Sequence, residues 1–165
     1  MSLIETGYIT LEELKEFKML PSDARYAKGP VAILECIQEI PCDPCEPACA
    51  KKAIVVGKPI TKLPKLDEEL CTGCGLCVPQ CPGLAIFLVD KTYSDKEGTV
   101  GFPYEYWPLP QEGQEVSAVN RKGEAVCKGK VVKIQNPKSF NRTPVVTVAV
   151  PKEFVDEVRS IERLK

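Results

Sequence analysis

Cys71-Thr-Gly-Cys74-Gly-Leu-Cys77-Val-Pro-Gln-Cys81-Pro82 is the stretch on which the reading of this chain turns. Three thiols spaced two residues apart fit within one tight loop, so they reach three corners of a single metal–sulfide cube. The fourth follows a turn and stands just before a proline, so it points away, toward a second centre. Gly73 and Gly75 lie between these ligands, where the backbone must bend sharply and present N–H groups to sulfur. Such donors favour the more negative, reduced state of a cluster. A structural Zn(Cys)₄ site is the competing use of four close thiols.

The stretch has a partial copy. At an offset of 32 residues, Cys42-Asp-Pro-Cys45-Glu-Pro-Ala-Cys49-Ala-Lys-Lys-Ala53-Ile54 lies over Cys74–Ile86. Three cysteines, the prolines Pro47 and Pro79, and an Ala-Ile pair coincide in one register, which marks an internal repeat. The copy departs from its template in two places. Glu39 occupies the position of the leading cysteine, and Ala50 replaces the proline after the last one. Cys36 is the nearest upstream thiol, and Pro41 is placed to turn the chain back toward Cys42. Cys36 therefore has two readings: a fourth ligand, or a buried strand cysteine beside a [3Fe–4S] centre. With Cys36 as a ligand and the last cysteine of each motif crossed over, one site is Cys36, Cys42, Cys45 and Cys81. The other is Cys71, Cys74, Cys77 and Cys49. Crossing brings the two centres close, as fast internal electron hopping requires. Cys127, alone in a valine-rich segment, reads as a small buried hydrophobe.

Nine cysteines with no histidine narrow the chemistry further. The absence of imidazole excludes Rieske-type ligation and any scheme with a histidine base. An odd thiol count, with no basic-then-apolar start in Met1–Leu11, favours metal ligation over disulfides. No run of 18 apolar residues occurs, so a soluble, cytoplasmic protein is expected. The net charge of −1 gives no global pull toward nucleic acid or membrane. Locally, however, no acidic residue lies between Glu46 and Asp67, whereas Lys51, Lys52, Lys58, Lys62 and Lys65 do. That segment is either a basic docking face or a solvated loop.

Three units follow from the composition: a helical extension over 1–30, the cysteine lobe over 31–90, and a β-module over 98–165. Thr10 and Glu13 form a capping-box spacing, with Leu11, Leu14 and Phe17 on one stripe and Pro21 as the stop. Val31–Leu34 reads as a short buried strand. Residues 91–98 are polar and read as a loop or linker. Beyond them Val116–Val119, Ala125–Ile134 and Val145–Val150 read as strands of a small antiparallel module shaped like a partial barrel. A short terminal helix is expected from Pro151. Phe102, Tyr104, Tyr106 and Trp107 suit either a partner interface or packing within the module. Lys128, Lys130 and Lys133 form no basic stripe with interleaved aromatics, so a nucleic-acid surface is not expected.

The Cys71–Pro82 run is that of bacterial-type 2[4Fe–4S] ferredoxins, and residues 31–90 resemble that family. The resemblance implies an α+β fold with a ferredoxin-like dicluster domain, two [4Fe–4S] clusters as cofactors, and the eight cysteines above as iron ligands. The segment Glu35-Cys-Ile-Gln-Glu-Ile-Pro-Cys-Asp-Pro-Cys45, with the trailing β-module, is similar to small iron–sulfur subunits of flavin-dependent amino-acid dehydrogenases of the proline and hydroxyproline type. That likeness implies an electron-transfer subunit without a catalytic site, partnered with a flavoprotein. The rivals are a freestanding ferredoxin with an accessory domain, a zinc-stabilised binding module, and an iron–sulfur redox sensor.

Overall fold

The computed structural model describes residues 2–165; Met1 lies outside it. Three short helices open the chain: α1 Ser2–Thr6, α2 Leu11–Glu16 and α3 Asp23–Tyr26. The capping box forms as its spacing predicts, because Glu13 N–H donates to Thr10 Oγ1 at 3.2 Å and Thr10 N–H donates to Glu13 Oε2 at 2.9 Å. The helix stops earlier than Pro21. Lys18 turns left-handed at φ 54°, and the N–H groups of Lys18 and Met19 close back on the carbonyls of Lys15 and Leu14. Phe17 consequently faces outward, and of the expected stripe only Leu14 is buried, against Ile9 and Ile37.

The remaining elements are β1 Val31–Leu34, α4 Cys45–Ala48, β2 Ile54–Val55, β3 Lys65–Leu66, β4 Ile86–Asp90, β5 Glu97–Pro103, β6 Glu115–Val119, β7 Ala125–Gln135, β8 Val145–Pro151 and β9 Ser160–Ile161. Among the described residues, β2 pairs with β3, and the others form one antiparallel sheet in the order β1-β4-β5-β8-β7-β6-β9. The sheet passes without a break from the cysteine lobe into the valine-rich module. Of residues 91–98, expected as a loop or linker, only 91–96 form the connection between the paired strands β4 and β5, because Glu97 and Gly98 are already in β5, paired with β8.

Strands β1 and β4 form a wall shared by two cores. Val31, Ile33, Phe87 and Val89 face a main core with Val100, Phe102, Val131, Val146 and Val148. The alternate residues Ala32, Leu34 and Ile86 face a second core with Ile54, Cys77 and Val78. Burial on both faces is why β1 reads as an unbroken apolar run rather than an alternating one.

The sheet curls without closing, since β1 and β9 are its unpaired ends. A register shift between Val131 and Lys133 in β7 adds to the bend. Ion pairs bridge the gap. Glu35, just after β1, is 2.7 Å from Arg121 and 2.6 Å from Arg159, all three side chains being buried. The Arg159 guanidinium also lies 5.2 Å from the Phe87 ring centre. The expected terminal helix is only a 3₁₀ turn, Lys152–Phe154, because Pro151 remains paired in β8 opposite Glu97. The aromatic cluster divides: Phe102 and Tyr104 are core residues, whereas Tyr106 and Trp107 are exposed.

Candidate metal centre

The two cysteine motifs fold as near copies. A helical turn, α4, begins at Cys45, and a 3₁₀ turn, Val78–Gln80, follows Cys77. Each turn ends on an extended cysteine, Cys49 (φ −88°, ψ 96°) or Cys81 (φ −79°, ψ 112°). Three residues on, Lys52 and Leu84 both turn left-handed, at φ 55° and 53°. Their N–H groups bond the carbonyls of Cys49 and Cys81. One residue further, the Ala53 N–H donates to Cys49 Sγ at 3.3 Å and the Ala85 N–H to Cys81 Sγ at 3.4 Å. The sequence repeat is thus a repeat of backbone conformation and of donors to sulfur.

The thiols gather around two small cavities. Cys36, Cys42, Cys45 and Cys81 line the first, with Leu34, Ile40, Val56, Pro82 and Ile86 among its other walls. Cys49, Cys71, Cys74 and Cys77 line the second, with Ala32, Ala53, Ile54 and Leu66. The last cysteine of each motif therefore lies at the cavity of the other motif. Cys36 is at the first cavity and Cys127 at neither. Cys127 lies in β7 against the main core, opposite Ala118.

Burial, and then the neighbouring thiols, push the Cys45 thiol up to about 11 and the Cys77 thiol up to about 12. Cys36 and Cys42 are raised for the same reasons. These thiols stay protonated unless a cationic centre compensates their charge, so loading such a centre releases protons. Each cavity is lined by four thiols between apolar walls, a donor set whose chemistry fits an iron–sulfur cluster.

Several long-range contacts that the sequence does not signal hold the frame. Arg25, almost wholly buried, donates from Nε to the Glu68 carbonyl at 2.9 Å and from Nη1 to that of Gly29 at 3.2 Å. Its Nη2 donates to the carbonyls of Pro30 and Cys71, both at 2.7 Å. The guanidinium thereby pins the Cys71 loop to the entry of β1. Gly73, at φ 69°, passes so close that a Cβ there would lie 2.2 Å from the Pro30 carbonyl oxygen. Glu46 accepts N–H bonds from Val56 at 2.6 Å and Gly57 at 3.0 Å, which hold its carboxyl below the ordinary value and tie α4 to the exit of β2.

Comparison with known proteins bears on the second motif directly. The 4Fe–4S binding domain family matches residues 64–87, which contain Cys71, Cys74, Cys77 and Cys81. The chain carries a 4Fe–4S binding domain. Cys36, Cys42, Cys45 and Cys49 lie outside the matched residues. The chain is 32% identical over 93 residues to "Protein Pixie" of Drosophila melanogaster, covering 48% of this chain and 15% of that protein. It is 47% identical over 47 residues to one subunit of the Na(+)-translocating ferredoxin:NAD(+) oxidoreductase complex of Acetobacterium woodii, covering 28% of this chain and 14% of that one. To the "Ferredoxin-type protein NapF" of Escherichia coli K12 it is 35% identical over 51 residues, covering 30% of this chain and 31% of the relative. The chain thus spans about a third or less of these relatives, and no solved structure matches it.

Proposed function

We propose that this protein is an electron-transfer iron–sulfur subunit. It holds two [4Fe–4S] clusters, one on Cys36, Cys42, Cys45 and Cys81, the other on Cys71, Cys74, Cys77 and Cys49. The observation that carries this reading is the division of eight cysteines between two cavities with the last ligands crossed. When bound, such clusters take up and release single electrons without moving atoms. The chain's own residues set the conditions for that. The Ala53 and Ala85 N–H groups donate to the crossed sulfurs, and the apolar walls limit solvent access; both act on the potential.

The chain supplies no catalytic group of its own in this reading. Electrons come from a flavoprotein dehydrogenase in the same hetero-oligomeric complex and leave to an acceptor. Support for the dehydrogenase partner comes from the likeness of Glu35–Cys45 to subunits of that type. The match to a ferredoxin-type protein favours a second reading, a freestanding carrier with an accessory module. Anaerobic purification from the native source separates the two: a flavoprotein recovered at fixed stoichiometry supports the first, and a lone monomer supports the second. A colourless, zinc-loaded preparation from iron-replete cells would overturn both.

A further inference from the structure

Residues 47–66 carry five lysines and no acid, a charge of +5 in a chain whose net charge is −1, so the remainder carries −6. The structure puts these lysines on the outside. Lys51, Lys52, Lys58, Lys62 and Lys65 are all exposed, and among the described residues none is in an ion pair. The flanking acids Glu46 and Asp67 are engaged with backbone N–H groups of Val56, Gly57, Glu69 and Leu70. The basic face also borders both cysteine cavities, because Lys62 lines the first and Lys51 the second.

Apolar side chains lie within this face. Val55, half exposed, stands directly opposite Lys65 in the β2–β3 ladder. Ile40, also half exposed, shares the first cavity's rim with Lys62. An apolar centre with a charged rim is the anatomy of a protein–protein contact. Nucleic acid would be served by aromatic rings among the lysines, and residues 47–66 contain none.

We propose that the face built from residues 51–65 is a docking surface for an acidic protein electron carrier, set against the edges of both cysteine cavities. The proposal rests on the electron-transfer reading above. Complementary charge steers the carrier to this face, and Val55 and Ile40 provide the contact that remains once the charges have met. Docking itself forms and breaks no covalent bond.

Titration calorimetry of the iron-replete protein against oxidised flavodoxin, an acidic flavoprotein carrier, tests this. Affinity should fall by about tenfold or more as salt rises from about 20 to about 300 mM. The double substitution Lys51→Glu with Lys62→Glu should weaken binding by about tenfold or more at low salt. Lys130→Glu, on β7 in the far half of the sheet, should leave it unchanged. Iron content and visible absorbance of each variant establish that it is loaded and folded. A loaded double variant that binds flavodoxin as the native protein does would overturn the docking surface alone. So would binding of single-stranded polyuridylate more tightly than flavodoxin at the same lysines. An iron-free preparation would overturn the electron-transfer reading and this proposal with it.

Discussion

Gly73 has no room for a side chain. Its left-handed φ costs other residues about 1–2 kcal/mol, and an added Cβ would press on the Pro30 carbonyl. Gly73→Ala should therefore destabilise the protein by about 2 kcal/mol or more, and iron should be lost from the Cys71 site first. Urea unfolding and iron content of the purified variant check this. The sequence marks Gly73 as a bend between ligands, but not its contact with Pro30, a residue 43 positions away in the chain. Arg25 gives no sequence signal at all. Its role arises from four carbonyls that only the folded chain brings together. Arg25→Met should cost about 3 kcal/mol by leaving four buried or part-buried carbonyls without their donor, again read by urea unfolding.

Glu35 gives the fold a pH dependence. Burial raises its carboxyl, but Arg159 and Arg121 outweigh burial and hold it below the ordinary 4.5. A carboxylate lowered in the folded state stabilises the fold fully above about pH 4.5, and the contribution fades as pH falls through the lower folded value. Glu35→Gln, which strands two buried guanidinium groups, should cost about 3 kcal/mol at neutral pH. The gap between native and variant unfolding midpoints should narrow below pH 4.5. A gap that stays constant down to about pH 3 would contradict the pairing.

At the scale of elements, the two cysteine turns matter most, and their crossing gives a counter-intuitive expectation. Cys81 belongs to the second motif in sequence but to the first cavity in space. On the proposed two-cluster reading, Cys81→Ser should therefore perturb the spectrum of the cluster assigned to Cys36, Cys42 and Cys45. Cys74→Ser should perturb the other and leave the first visible in the electron paramagnetic resonance of reduced protein. If both substitutions altered the same signal, the crossed assignment would be wrong. The repeat is legible because three cysteines, a proline and an Ala-Ile pair recur in register. Its conformational content, the matched left-handed Lys52 and Leu84, is not, because neither residue type favours that region. The α2 capping box and β1 are equally readable from local pattern. The terminal helix is not, since Pro151 suits a first helical turn and an edge-compatible strand end alike.

For the whole molecule, the β1–β4 wall is the feature that local reading does not reach. A run of four apolar residues says that both faces are buried, but not that one faces the valine-rich core and the other the cysteine cavities. The same wall makes the valine-rich sheet the support on which the cysteine loops rest, so damage to the main core should be felt at the cysteine cavities. The Glu35–Arg121–Arg159 clip joins residues too far apart in sequence to show any motif. Whether this frame holds two four-iron clusters, as proposed, is read from the count of iron and acid-labile sulfide per chain in anaerobically purified protein. Two clusters predict about eight of each. About seven irons would remove Cys36 from the ligands, and about four of each would confine the metal to the matched 4Fe–4S segment and contradict the account.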